Sequence, residues 1–107
     1  MTQSQNNKRL DLLNSYLEED PNNPFLHFAM AQEYEKDDRE DDALDRYLYL
    51  VEQHESYVGT YYHLGKLYER RQAFSHARRS YENGIEIAKK ANDSHSASEL
   101  QGALDLL

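Results

Sequence analysis

Five histidines, at positions 27, 54, 63, 76 and 95, are the only soft nitrogen ligands in this 107-residue chain, which contains no cysteine. Two imidazoles hold one metal ion on a helix when they stand three or four residues apart, and no pair here has that spacing. His54-Glu55 lacks the second His of a zincin motif. Without a thiol there is no cysteine nucleophile, disulfide, iron-sulfur cluster or thiolate zinc site. Carboxylates are crowded in the run Glu35-Lys36-Asp37-Asp38-Arg39-Glu40-Asp41-Asp42. Read as a calcium loop from Asp37, the sixth place holds Asp42 instead of Gly and the twelfth holds Leu48 instead of Glu, so the run reads as a solvated helical corner. There is no Gly-rich phosphate loop and no G-x-S-x-G elbow. The residues that could do chemistry do not converge, and the chain is expected to have no catalytic residues, metal or cofactor.

The background composition agrees with a small packed domain. Twelve Lys and Arg stand against 20 Asp and Glu, for a net charge of -8, with four Gly, two Pro and no Trp. So few turn residues argue against an all-β chain and for helices throughout. Charge is divided along the chain: residues 11-55 carry 14 acids and 3 bases, whereas residues 56-92 carry 7 bases and 3 acids. A front half with net charge -11 argues against nucleic acid as the main partner, because phosphates demand clustered cations. No apolar run approaches the length of a membrane span, and no apolar residue lies between Met1 and Leu10. The expectation is a soluble, cytoplasmic chain with no membrane partner. Asn92-Asp93-Ser94 spells a glycosylation sequon, read here as an ordinary turn between helices.

The chain repeats itself. A shift of 34 residues places His27 on Tyr61, Met30 on Leu64, Ala31 on Gly65, Tyr34 on Tyr68, Ala43 on Ala77 and Tyr47 on Tyr81. Each unit therefore reads ring, two residues, bulky apolar, small, two residues, Tyr, and later Ala, three residues, Tyr. Small residues let two helices approach, and the tyrosines fill the space between them, which places most of the nine Tyr in the core. Asn23 before Pro24 is a helix start, since Asn caps free amides and Pro suits the first turn. Leu10, Leu13, Tyr16 and Leu17 fall on one face of an earlier helix. Ser96-Ala97-Ser98-Glu99 has the form of a capping box ahead of the apolar stripe Leu100, Ala103, Leu104 and Leu107.

This pattern resembles the tetratricopeptide repeat family, whose period is 34 and whose signature is W-x2-L-G-x2-Y, then A-x3-F, then P. The resemblance covers about residues 8-107. It implies an all-α superhelix of about six antiparallel helices in a single domain, with a disordered tail at 1-7, a half-repeat helix at 8-23, full repeats at 24-57 and 58-91, and a capping helix at 92-107. Asp20-Pro21-Asn22-Asn23 looks like the family's closing turn. The chain departs from the family at Glu55 and Lys89, where the closing Pro is missing, at Leu50, where a small residue is usual, and at the weak turn Gln72-Ala73. A second helix of the last unit reaching Lys90 follows.

The family uses the first helices of its repeats to line a concave groove for a peptide or a partner helix. Carried over by position, the lining here is Phe25, Phe28, Gln32, Glu35 and Lys36 from the first full unit, and Tyr62, His63, Lys66, Glu69 and Arg70 from the second. Helical spacing places Phe25, Phe28, Gln32 and Glu35 on a face distinct from the stripe His27, Met30, Ala31 and Tyr34. Exposed rings beside Lys66 and Arg70 offer apolar area for affinity and cations for a carboxylate. The Lys, Asn and Arg clamp of chaperone-binding members is absent, for Phe28, Gln32, His63, Asp93 and Ala97 occupy the matching places. The resemblance thus implies a non-enzymatic protein-protein interaction module or scaffold with an unidentified protein or peptide ligand. The charge split supports an alternative, self-assembly into homodimers through complementary acidic and basic repeats.

Overall fold

The computed structural model describes residues 7-107 and, among them, contains six helices and no strand: α1 (Lys8–Glu19), α2 (Pro24–Lys36), α3 (Glu40–Gln53), α4 (Gly59–Arg70), α5 (Phe74–Lys90) and α6 (Ser94–Asp105). The all-helical class expected from the sequence is the one observed. Two compact units share the chain, one running to Leu50 and one starting at Val51, so that the boundary falls within α3.

In the first unit, α1 and α2 bury Leu10, Leu13, Leu26, Ala29 and Met30 together, with Leu17 and Tyr34 packed at the edge. Asn7, assigned by the sequence to a tail, is instead the N-cap of α1: its side chain accepts from the Leu10 amide at 3.0 Å and donates to Glu33 at 3.2 Å. Positions 1-6 of that tail lie outside the described residues. Arg9 adds an ion pair to the same Glu33 at 3.2 Å. Asn23 caps α2 as expected, accepting from the Phe25 amide at 2.9 Å ahead of Pro24. From α3, Ala43, Tyr47 and Leu50 are fully buried.

The second unit buries Tyr61, Ala77, Tyr81, Ile85, Leu100 and Ala103 in one cluster. α5 does run to Lys90. α6, by contrast, starts two residues before the expected capping box. Asp93 is its N-cap, accepting from the Ser96 amide at 3.0 Å and from the Ser96 hydroxyl at 2.7 Å. These two bonds hold the Asp93 carboxyl below its ordinary range, the backbone bond being the larger cause. The Asp93 carboxylate is charged at a helix N-terminus, where the helix dipole favours it, and the Ser96 hydroxyl is occupied as a donor to it instead of capping a later amide.

Three hairpin turns use one device. Asp38, Gln72 and Asn92 have φ of 58°, 60° and 57°, the left-handed region. Each follows the end of a helix, and two backbone bonds close the turn: Asp38 to Glu35 and Arg39 to Tyr34, Gln72 to Glu69 and Ala73 to Tyr68, Asn92 to Lys89 and Asp93 to Ala88. These are Schellman closures, which satisfy the last carbonyls of the helix without help from side chains. In the first of them the Arg39 guanidinium also sits 4.7 Å from the centre of the Tyr34 ring. The backbone alone makes the turn at Gln72, so a weak turn sequence suffices there. A Cβ-bearing residue is strained in this region, with Asn the best tolerated. Gln72→Gly is therefore expected to raise the unfolding free energy by about 0.5–1 kcal/mol, and Asn92→Gly by less, as read by urea unfolding.

Not all tyrosines are core. Tyr47, Tyr61 and Tyr81 are fully buried, Tyr34, Tyr49, Tyr57, Tyr62 and Tyr68 are half-buried, and Tyr16 is exposed. The ring of a half-buried Tyr covers apolar surface while its hydroxyl stays wet.

Candidate functional site

The sequence nominates faces of α2 and α4, and each is described within its own unit. On α2, Phe25 stands in the first turn with 61% of its surface exposed. Phe28, one turn on, is half-buried with its ring 6.1 Å from that of Tyr47. Glu35 accepts a short hydrogen bond from the Tyr47 hydroxyl. Gln32 is half-buried and Lys36 exposed at the helix end; neither makes a side-chain hydrogen bond or ion pair with the other described residues. The structure therefore joins Phe28 and Glu35 through Tyr47, while Phe25, Gln32 and Lys36 share the face.

On α4 the groups are more closely joined. Tyr62 meets His63 edge to face at 5.6 Å and lies 6.4 Å from the Tyr81 ring. The Lys66 ammonium is 5.5 Å from the centre of the Tyr62 ring and 3.8 Å from a Glu69 oxygen. That carboxylate accepts a short hydrogen bond from the Tyr81 hydroxyl. Arg70 is exposed at the end of the helix. An aromatic ring, a cation held over it and a carboxylate fixed from behind form a polar and apolar strip on a single helix.

The two short bonds are one feature used twice. Tyr47 reaches back twelve residues to Glu35, and Tyr81 reaches back twelve residues to Glu69, with both pairs offset by 34. Sequence reasoning placed these tyrosines in the core and these glutamates on a ligand face without joining them. Their common spacing was the available signal. Each buried phenol needs an acceptor, and the carboxylate on the facing helix supplies one that is charged and strong. A third buried phenol, Tyr61, donates to the Glu55 carbonyl at 2.6 Å.

These environments shift the tyrosines. Burial first, then the nearby charge of Glu55, pushes Tyr61 up to about 12, while Tyr81 is pushed further by burial and then by Glu69. A phenol in the unfolded chain titrates near 10. A raised folded value means stability that is complete below pH 10 and lost as the pH climbs through the folded values. The urea midpoint is thus expected to hold up to about pH 10 and to fall between about pH 10 and pH 12, and to fall less in Tyr61→Phe.

Among the described residues no group of three or more His, Asp or Glu lies together so as to hold a metal ion, and no helix is long and apolar enough to cross a membrane. Comparison with family models finds no match, and comparison with curated proteins finds none either. Solved structures do match. The crystal structure of a tetratricopeptide repeat domain protein from Salinibacter ruber is 46% identical, with a TM-score of 0.73, covering 77% of this chain and 91% of that one. A solution NMR structure of a tetratricopeptide repeat domain protein from the same organism is also 46% identical, with a TM-score of 0.76, covering 78% of this chain and 85% of that one. With the repeat spacing, the helical hairpins and this identity in agreement, the chain belongs to the tetratricopeptide repeat family.

Proposed function

We propose that the chain is a non-enzymatic protein-protein interaction module that receives a peptide or helix of a partner protein on the first helices of its two full repeats, 24-57 and 58-91. The α4 strip carries this reading: Tyr62, Lys66 and Glu69 are placed against one another on an accessible helix face, with Tyr81 fixing Glu69 from within the core. Phe25 and Phe28 supply apolar area on α2 in the same reading. A ring flanked by a cation and a carboxylate suits a peptide that offers both an apolar side chain and a polar backbone or acidic group. A strip this short fits an affinity in the micromolar range.

Selection of peptides from a display library tests the reading. Enriched peptides are expected to bind the wild type at about micromolar Kd and at least tenfold more weakly to Tyr62→Ala/Lys66→Glu or to Phe28→Ala, with the folds of the variants verified by circular dichroism. Equal binding by wild type and variants would defeat it.

A second reading rests on the charge split of -11 in residues 11-55 against +4 in residues 56-92. Homodimers joined by that complementarity would weaken as salt rises, because exposed charges are screened beyond about 8–10 Å. Sedimentation equilibrium at low and high salt separates the two readings. Monomers at every salt concentration favour a strip that waits for another protein, and salt-sensitive dimers abolished by Lys66→Glu/Arg70→Glu favour self-assembly.

A further inference from the structure

His27 and Tyr61 occupy the same repeat position, 34 residues apart, and both are buried. They also make the same bond. The Tyr61 hydroxyl donates to the carbonyl of Glu55, six residues earlier, at 2.6 Å, and His27 Nε2 lies 2.7 Å from the carbonyl of Pro21, six residues earlier. A carbonyl only accepts, so Nε2 of His27 carries the proton. The imidazole has a second nitrogen that a phenol does not. His27 Nδ1 lies 2.8 Å from an Arg46 guanidinium nitrogen on α3, which can only donate, so Nδ1 must be the bare acceptor. Both ring nitrogens are thereby assigned by their partners, and the ring bridging the α1–α2 turn and α3 is the neutral form.

We propose that His27 is a pH-operated tie between α2 and α3, closed when the imidazole is neutral and opened when it is protonated. Protonation turns Nδ1 from acceptor into donor. Arg46 then loses its partner on α2 and faces a second cation at hydrogen-bond distance. The groups lining the recess around the pair determine where the guanidinium goes next. This recess, of about 360 Å³, is lined by His27 and Tyr34 from α2 and by Asp42, Asp45, Arg46 and Tyr49 from α3. The Tyr49 ring lies 4.5 Å from that of His27, Arg39 covers Tyr34, and Arg39 also holds Asp42 at 2.8 Å. At the turn, the Asp20 carboxylate accepts from the Asn23 side chain at 3.0 Å. The carboxylates in the recess, Asp42 and Asp45, sit on the same helix as Arg46, so a guanidinium released from His27 pairs within α3 and no longer bridges to α2. The Pro21 bond survives, because imidazolium still donates from Nε2. The second repeat lacks the device: Tyr61 stands in place of His27, and Ser80 stands in place of Arg46, its hydroxyl turned to the His76 carbonyl at 3.0 Å.

The test compares thermal unfolding of the wild type, His27→Tyr and His76→Gln at pH 7.5 and pH 5.0. The wild type and His76→Gln are expected to lose about 4–8 °C more across this interval than His27→Tyr, the shift that one net hydrogen bond brings to a domain of this size. Equal losses in all three overturn the proposal. Should His27→Tyr not fold, nitrogen-15 spectra of the wild-type imidazole decide: Nδ1 bare at pH 7.5, with protonation at lower pH accompanied by shifts of the Arg46 side chain and of α3 amides, upholds it. A protonated Nδ1 at pH 7.5, or protonation that leaves α3 unmoved, overturns it.

Discussion

Tyr81→Ala is expected to lower the unfolding free energy by about 3–5 kcal/mol, the range for removing a fully buried aromatic ring. Tyr81 has no exposed surface, its ring is packed against Gly65 and lies 6.4 Å from the Tyr62 ring, and its hydroxyl donates to Glu69. Truncation removes all of these at once and leaves a cavity between α4 and α5. Tyr81→Phe separates the contributions. It keeps the volume and removes only the bond, so about 1–2 kcal/mol is expected, with Glu69 partly compensated by water and by Lys66 at 3.8 Å. Urea unfolding followed by circular dichroism measures both. If Tyr81→Phe cost as much as Tyr81→Ala, the hydroxyl bond and not the packing would dominate the α4–α5 joint.

Glycine substitutions on α4 and α5 are expected to have the opposite sign to one on α6. A Cβ built at Gly65 lies 2.2 Å from Tyr81 Cε1, and one at Gly84 lies 2.5 Å from Tyr61 Cβ and 2.9 Å from a Leu100 methyl. The clashing atoms belong to rigid, buried side chains, so the helices must move apart. Gly65→Ala and Gly84→Ala are each expected to cost about 1–3 kcal/mol, despite the roughly 1 kcal/mol by which Ala is the better helix former. Gly102 on α6 has nothing within 4 Å of such a Cβ. There the propensity acts unopposed, and Gly102→Ala is expected to stabilise by about 0.5–1 kcal/mol. The Gly65 cost is also expected to shrink in a Tyr81→Leu background, since residues in contact do not add. Ala31 occupies the Gly65 position in the first repeat and is fully buried, so the same place accepts a Cβ where the local helix spacing provides for it.

The pattern of these effects explains which features could be read from the sequence. The helices at 8-19 and from Pro24 were legible because capping residues and a period of 3.6 act locally. The extension of α5 to Lys90 was legible from a missing proline. The start of α6 was not, because Asp93 and Ser96 are both competent caps and only the three-dimensional ends show Asp93 taking the bond from Ser96. The turn at Gln72 looked weak because its closure is made by backbone groups that no residue type announces. Of the candidate site, Phe25 is exposed on α2 as its helical spacing suggested, whereas Phe28, expected to be exposed, is half-buried beside Tyr47. What stayed hidden was the tie from Tyr47 to Glu35 and from Tyr81 to Glu69, since a pair twelve residues apart meets only after two helices have folded back on each other.

That tie gives the glutamates a structural duty, and in the proposed reading Tyr62 and Lys66 are the groups that serve a partner. An amide-shift titration of the nitrogen-15-labelled protein with a peptide selected from the display library tests this most directly. The largest changes are predicted at Phe28 and Gln32 of α2 and at Tyr62 and Lys66 of α4. Changes confined to the exposed face of α5, at Arg78, Asn83 and Glu86, would contradict the assignment of the first helices as the binding surface.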